Sequence, residues 1–417
     1  MANPLINADR LWASIQALAR IGAQPWPEVG LTGVNRLALT RADAQGRKHA
    51  RARFEEAGLD VRVDRIGNLW ARRPGTEPDL APVVCGSHLD SVPTGGAFDG
   101  ALGVLAGLEV VHTLNDRGID TRRPFDVAVF TDEEGARFGT DMLGSAVACG
   151  RLGLEEALGL ADRDGVTVAQ ALAHFALAGP EPVPAPVPHC FLEVHVEQGP
   201  ILHRAQEELG IVTGVQGISW TELTVQGRSA HAGTTPMALR VDANLAVARL
   251  QVALHAAVSR GDFGPDQRVT IGRIAPVPNR VNVIAGQCVA TVDLRNPDQG
   301  GLLAAEQALD RLIGALSKEL GVVIDARRTA RTLPVAFDPR VQKVLTAIAV
   351  RHGWRHRHLV SGAGHDAQEF AAVCPAGMVF VPGEHDGISH NPREYSTPQA
   401  CARGAQALLE AVLTLSE

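Results

Sequence analysis

Three apolar runs in the first half of the chain end in a histidine or a carboxylate, and helical patterns alternate with them. Ala81–His88 (APVVCGSH) is rich in valine and reads as a buried strand. Ala101–Asp116 (ALGVLAGLEVVHTLND) carries apolar residues at three- and four-residue spacing, which predicts a helix. Phe125–Gly135 (FDVAVFTDEEG) is a second apolar run and closes on a burst of carboxylates. His189–Gly199 (HCFLEVHVEQG) is the third, preceded by a proline-rich connector, Gly179–His189. Strands alternating with helices predict an α/β sheet with parallel pairs. Such sheets gather ligands at the carboxyl ends of their strands, where these runs place their histidines and acids.

The pattern changes after Leu209–Gly217 (LGIVTGVQG). ISWTELTVQG nearly alternates polar and apolar, and a helix pattern follows over Val241–Ser259. Then come RVTIGRIAP, NVIAGQCVATVDLRNP, a second helix pattern over Gly301–Leu320, and GVVIDARRTAR. Strands with one half-buried face plus two helices make a separate α+β domain at 215–331. The α/β character returns from Thr332, so the small domain is inserted in a larger one formed by 1–214 and 332–417. A chain of 417 residues is long enough for both cores.

The formal net charge of -7 gives no basic surface for nucleic acid. The six cysteines are scattered, with no C-x-x-C pair, which argues against a disulfide framework or a thiolate zinc site. Neither a signal-peptide pattern nor an apolar stretch near the roughly 18 residues of a membrane span is visible. The expectation is a reduced cytoplasmic protein.

Five residues stand where metal chemistry would want them: His88 in GSHLDS, Asp99 in GGAFDGALG, Glu134 in TDEEGARFG, His195 in EVHVEQG and His390 in GISHNPREY. Taken singly, each is more often a turn or an ordinary core residue. Several fall at predicted strand ends of one architecture, and that coincidence gives the set weight. All are nitrogen or oxygen donors, a set suited to Zn²⁺, Mn²⁺, Co²⁺ or Ni²⁺. A carboxylate among them can bridge two ions about 3.5–4 Å apart. Asp90, two residues after His88, is placed to fix its imidazole. Gly95, Gly96 and Gly100 surround Asp99 and let backbone approach a crowded site. Glu133 beside Glu134 supplies two carboxylates at one strand end, one to ligate and one to act as a base.

The segments GSHLDSVPTGGAFDGALGVLAGLEVV, TDEEGARFG, EVHVEQGP, GRSAHAGTTPM, SGAGHDA and GISHNPREY resemble the hydantoinase/carbamoylase-type amidases. These form a branch of the di-zinc peptidase and deacylase (M20) superfamily, which includes N-carbamoyl-L-amino acid hydrolases, allantoate amidohydrolases and β-ureidopropionases. The resemblance runs nearly end to end. It implies a di-metal catalytic domain with a mostly parallel sheet flanked by helices, and an inserted α+β domain for dimerisation and lid closure. It implies two divalent ions per chain, zinc first, with His88, Asp99 and His195 at one and Asp99, Glu134 and His390 at the other. Glu133 would be the general base. Gln198, Asn282 and Arg295 would bind a substrate carboxylate, and His231 would enter the active site of the partner subunit in a homodimer. Arg295 suits that task as a planar bidentate donor.

The implied reaction is hydrolysis of the ureido C–N bond of an N-carbamoyl-L-amino acid to amino acid, carbon dioxide and ammonia. Allantoate and ureidopropionate are alternative substrates. An aminopeptidase or N-acyl amino acid deacylase would share the metals and lack the carboxylate clamp, and a non-catalytic scaffold would break the ligand set. His365 and His385 receive no assigned role.

Overall fold

Val83–His88, Phe125–Phe130 and Cys190–Val196 are strands in which every residue is buried, as continuous apolar runs require when helices cover both sheet faces. The computed structural model describes residues 5–28 and 30–417. Two compact units divide the chain, one of the described residues up to Gly214 with Ala336–Glu417, the other Val215–Val335.

In the first unit the main sheet runs Leu209–Val215, Ala376–Val381, Cys190–Val196, Val83–His88, Phe125–Phe130, Leu69–Arg73 and Asp60–Val63. The four middle strands from Ala376–Val381 to Phe125–Phe130 are parallel, in register Val83↔Cys190 and His88↔Phe130. Both flanks are antiparallel, Leu209–Val215 against Ala376–Val381 and Leu69–Arg73 against Phe125–Phe130. The sheet is therefore mixed, and Val335–Ala336 and His356–Ser361 extend it beside Leu209–Val215. The short link between Asp60–Val63 and Leu69–Arg73 explains that edge, because a parallel crossover needs a dozen or more residues.

Helix Ala101–Arg117 is the crossover between Val83–His88 and Phe125–Phe130, and it is buried on nearly every face. It packs against both Val83–His88 and Cys190–Val196, with helices Ala8–Ala19 and Pro398–Leu415 stacked beside it. Thr397 caps the last of these by accepting from the Ala400 N–H, and Pro398 begins it. This core fixes the strand ends that carry His88 and His195.

The second unit has an antiparallel sheet in the order Arg268–Val277, Gln287–Asn296, Gly217–Gln226 and Val323–Thr332. Gln287–Asn296 alternates strictly, burying Cys288, Ala290, Val292 and Leu294 while Asp293 and Arg295 point the other way. Helices Ala243–Ser259 and Gln299–Leu320 cover the buried face through Leu250, Leu254, Leu302 and Leu309. Asp242 and Asp298 cap them at their N-termini. Among the described residues, no helix is long and apolar enough to cross a membrane.

Candidate metal centre

His88 is the last residue of its strand, and its Nδ1 lies 2.9 Å from the backbone carbonyl of Asp90. A carbonyl oxygen only accepts, so Nδ1 carries a proton and Nε2 is the nitrogen turned to the rest of the cluster. His195 is held the same way, its Nδ1 2.9 Å from the carbonyl of Val196. Both rings are buried and turn Nε2 toward Asp99, whose Oδ1 is 3.5 Å from His88 and 3.1 Å from His195. Asp99 stands in the turn that opens helix Ala101–Arg117. Gly100 has φ +64° there, and a Cβ on it would lie 2.5 Å from the His88 ring.

The other oxygen of Asp99 faces a second group. His390 Nε2 lies 3.3 Å from Asp99 Oδ2 and 3.2 Å from Glu134 Oε2, on a side chain still 49 % exposed. His390 takes φ +53° and Asp132, just before the paired glutamates, φ +52°. Such left-handed backbone at non-glycine residues clusters at functional sites. Glu133 reaches inward instead, its Oε2 3.3 Å from His88 Nε2. The Asp90 carboxylate is 3.9 Å from His88 Nδ1 and accepts from the backbone N–H groups of Glu133 and Glu134, at 3.4 and 3.3 Å. Asp90 thus holds His88 through its carbonyl and the glutamate pair through its carboxylate.

The charges are strongly coupled. Burial works against an imidazolium at His88, yet Glu133, Asp99 and Asp90 hold its pKa well above the usual value. Asp99 is held well below the ordinary carboxylate range, because the imidazoles of His195, His390 and His88 that face it outweigh its burial. Burial pushes Glu133 well above that range, and Asp366, Glu134 and Asp99 add to the rise. A carboxyl raised in this way is suited to hold and release a proton.

The donor set fits divalent cations. Ligands bound tetrahedrally at about 2.0–2.1 Å lie about 3.3 Å from one another, and the nitrogen–oxygen separations here run from 3.1 to 3.5 Å. Nε2 of His88 is buried without a hydrogen-bond partner, a costly state unless something binds it. His88, Asp99 and His195 form one group that could hold an ion, and Asp99, Glu134 and His390 a second. Glu193, His195 and His365 converge as well. Glu193, however, already accepts from the Ser87 hydroxyl at 2.8 Å and the Ala367 N–H at 2.9 Å, and His365 Nε2 is 2.8 Å from the Ser361 hydroxyl. Burial, with the charge of His195, holds His365 well below its usual pKa, so it packs edge-on against His195 as a neutral ring.

Gln198 joins this cluster with φ +57°, its amide donating to Asp99 Oδ2 at 2.8 Å. The other sequence-predicted residues lie in the Val215–Val335 unit. His231 pairs with Val283 across a two-residue antiparallel bridge, and the Ala232 N–H donates to the Asn282 carbonyl at 3.0 Å. His231 Nδ1 accepts from the N–H groups of Gly233 and Thr234 at 3.0 and 3.2 Å, which leaves Nε2 to carry the proton. Arg295 forms an ion pair with Asp293 on the same strand at 2.9 Å. His385 is a left-handed residue in the turn before His390.

Sequence reasoning passed over Ser389 and Glu394. The Ser389 hydroxyl is 3.0 Å from Asp99 Oδ2 and 2.5 Å from Glu394 Oε2. Burial, with the nearby Asp99 charge, pushes the Glu394 carboxyl up to about 7. The available signal was proximity to His390 within GISHNPREY, and nothing in that spacing shows that Glu394 reaches back to Asp99.

Comparison with known proteins places the chain. Residues 84–414 match the model of peptidase family M20/M25/M40. An N-carbamoyl-L-amino-acid amidohydrolase of Rhizobium meliloti is 42 % identical over 415 residues, covering 100 % of this chain and 98 % of the relative. An allantoate amidohydrolase of Bacillus subtilis is 32 % identical, covering 92 % and 93 %. A crystal structure of a hydantoinase/carbamoylase family amidase from Burkholderia multivorans superposes with a TM-score of 0.94 at 42 % identity, over 99 % of this chain and 98 % of that one. The chain belongs to peptidase family M20/M25/M40, among its hydantoinase/carbamoylase-type amidases.

Proposed function

We propose that the protein is a metal-dependent amidohydrolase that cleaves the ureido C–N bond of N-carbamoyl-L-amino acids. The observation that carries this reading is the split carboxylate of Asp99, one oxygen toward His88 and His195 and the other toward His390, beside the buried Glu133. His88, Asp99 and His195 would hold one ion and Asp99, Glu134 and His390 another, with zinc the first candidate. Bound there, two such ions supply Lewis-acid chemistry, acidifying a water and polarising a carbonyl.

The protein's own groups do the rest. Glu133 takes the proton of the attacking water and returns it to the leaving nitrogen, a task that its place beside His88, outside the two ion-binding groups that share Asp99, supports. His231, with its proton on Nε2, donates to the carbonyl oxygen as negative charge develops there. Gln198, Asn282 and Arg295 receive the substrate carboxylate, and Arg295 exchanges Asp293 for it. We assign the Val215–Val335 unit to dimerisation and lid closure. Leu245 and Val252, two turns apart on its first helix, are 42 % and 69 % exposed, as a face awaiting a partner would be. The N-carbamoyl substrate class is preferred because the R. meliloti relative is 42 % identical and the B. subtilis allantoate relative 32 %. We place the enzyme in the cytoplasm, since its six cysteines form no disulfide.

The test is a panel of N-carbamoyl amino acids of both hands, β-ureidopropionate, allantoate and an N-acetyl amino acid, with release of amine or ammonia measured on metal-loaded protein. Preference for N-carbamoyl-L-amino acids supports the reading. Preference for allantoate or the N-acetyl compound would reassign the substrate.

A further inference from the structure

We propose that Glu394 is a positioning residue that keeps Asp99 Oδ2 available as a metal ligand by holding the Ser389 proton away from it; the inference rests on the metal-site reading above. Glu394 lies in the loop after His390 and reaches back across the site. Its Oε1 accepts from the backbone N–H groups of Phe98 and Asp99 at 2.9 and 3.1 Å, which fixes the turn carrying Asp99. Gly96 makes room for it, because a Cβ there would run into the Glu394 carboxylate.

The second oxygen sets the direction of a proton. The Ser389 oxygen is 2.5 Å from Glu394 Oε2 and 3.0 Å from Asp99 Oδ2, so two carboxylates compete for one hydroxyl hydrogen. With the Glu394 carboxyl ionised, the shorter contact takes it. Oδ2 already accepts from the Gln198 amide at 2.8 Å, and by giving no lone pair to Ser389 it keeps the remaining one for the group formed with Glu134 and His390.

Glu394→Gln would reverse that direction without changing shape. The amide oxygen must still accept from Phe98 and Asp99, so the amide nitrogen faces Ser389 and donates to it. The hydroxyl proton then turns onto Asp99 Oδ2. Removing the hydroxyl from the same variant abolishes the unwanted donation, so the double variant should recover.

The experiment strips the full-length protein of metal and titrates it with zinc alone in competition with a chromophoric chelator. Metal-free melting curves accompany each variant. Wild type should bind zinc, Ser389→Ala should stay within about threefold of it, and Glu394→Gln should lose about 10–100-fold at the weaker-binding ion. Glu394→Gln/Ser389→Ala should regain most of that loss, which a merely structural role would not produce. Wild-type affinity in Glu394→Gln, a double variant no tighter than the single, or a tenfold loss in Ser389→Ala would each overturn the proposal. A wild type that binds no zinc would overturn the metal-site reading itself and this inference with it.

Discussion

His88 Nδ1 lies 2.9 Å from the backbone carbonyl of Asp90, and that contact aims the opposite nitrogen of the ring at Asp99. The ring is oriented before any ion arrives, so little conformational freedom remains to be lost on binding. Glu133 depends on the same residue, because the Asp90 carboxylate accepts from the backbone N–H at Glu133.

Glu133→Gln should lower kcat by about 10²–10⁴-fold, the usual contribution of a positioned general base. The variant should keep the wild-type metal content, because Glu133 is in neither of the two ion-binding groups that share Asp99. Steady-state kinetics with elemental analysis of the same samples checks both. Retention of most activity would remove Glu133 from the mechanism.

Gly100→Ala should destabilise the protein and weaken metal binding together. Gly100 sits at φ +64° and ψ -50°, a γ-turn conformation that strains an L-residue, and the added Cβ would press on the His88 ring at 2.5 Å. Melting temperature with and without added zinc reports the outcome. The zinc-dependent rise should shrink in the variant, and an unchanged rise would show that His88 tolerates the displacement.

If His231 acts across a dimer, mixing a His231→Ala chain with a Glu133→Gln chain should restore part of the activity. Each hybrid would hold one site with both residues intact. Verified heterodimers with no recovery would place His231 within its own chain or outside the reaction.

Glu369 offers a test of the buried charges away from the two ion-binding groups. Burial pushes its carboxyl up to about 7, with Arg151 opposing and Asp141 adding to the rise. The folded protein holds this proton more tightly than the unfolded chain does. Its contribution to stability is therefore present below pH 4.5 and lost as pH rises through about 7. Glu369→Gln should leave the melting temperature nearly unchanged at pH 4 and raise it at pH 8. A lower melting temperature at pH 8 would mean that the pair with Arg151 outweighs the burial.

The α/β architecture was legible because its central strands are buried on both faces, so valine-rich runs such as Val83–His88 stand out from their surroundings. The antiparallel flanks were less visible, since Asp60–Val63 and Leu69–Arg73 are short and carry arginines at buried and half-buried positions. Apolar patterning gave the two helices of the smaller unit and the near-alternation of ISWTELTVQG, which is the strand Gly217–Gln226. His88, Asp99, Glu134, His195 and His390 could be singled out because strand ends and glycine-rich turns announce them. Glu394 could not, because its partners Phe98 and Asp99 are nearly three hundred residues away in the chain. The left-handed conformation of Gln198, which turns its amide onto Asp99, likewise has no local sequence signal.

The central claim is that Asp99 is shared between two ions, and metal counting on the Asp99→Ala variant tests it most directly. Wild-type protein stripped by chelator and reloaded with zinc should hold two ions per chain. Asp99→Ala, reloaded identically and still folded by circular dichroism, should hold fewer than one and show no measurable turnover. Two ions retained in the variant, or a single ion in the wild type, would contradict the account.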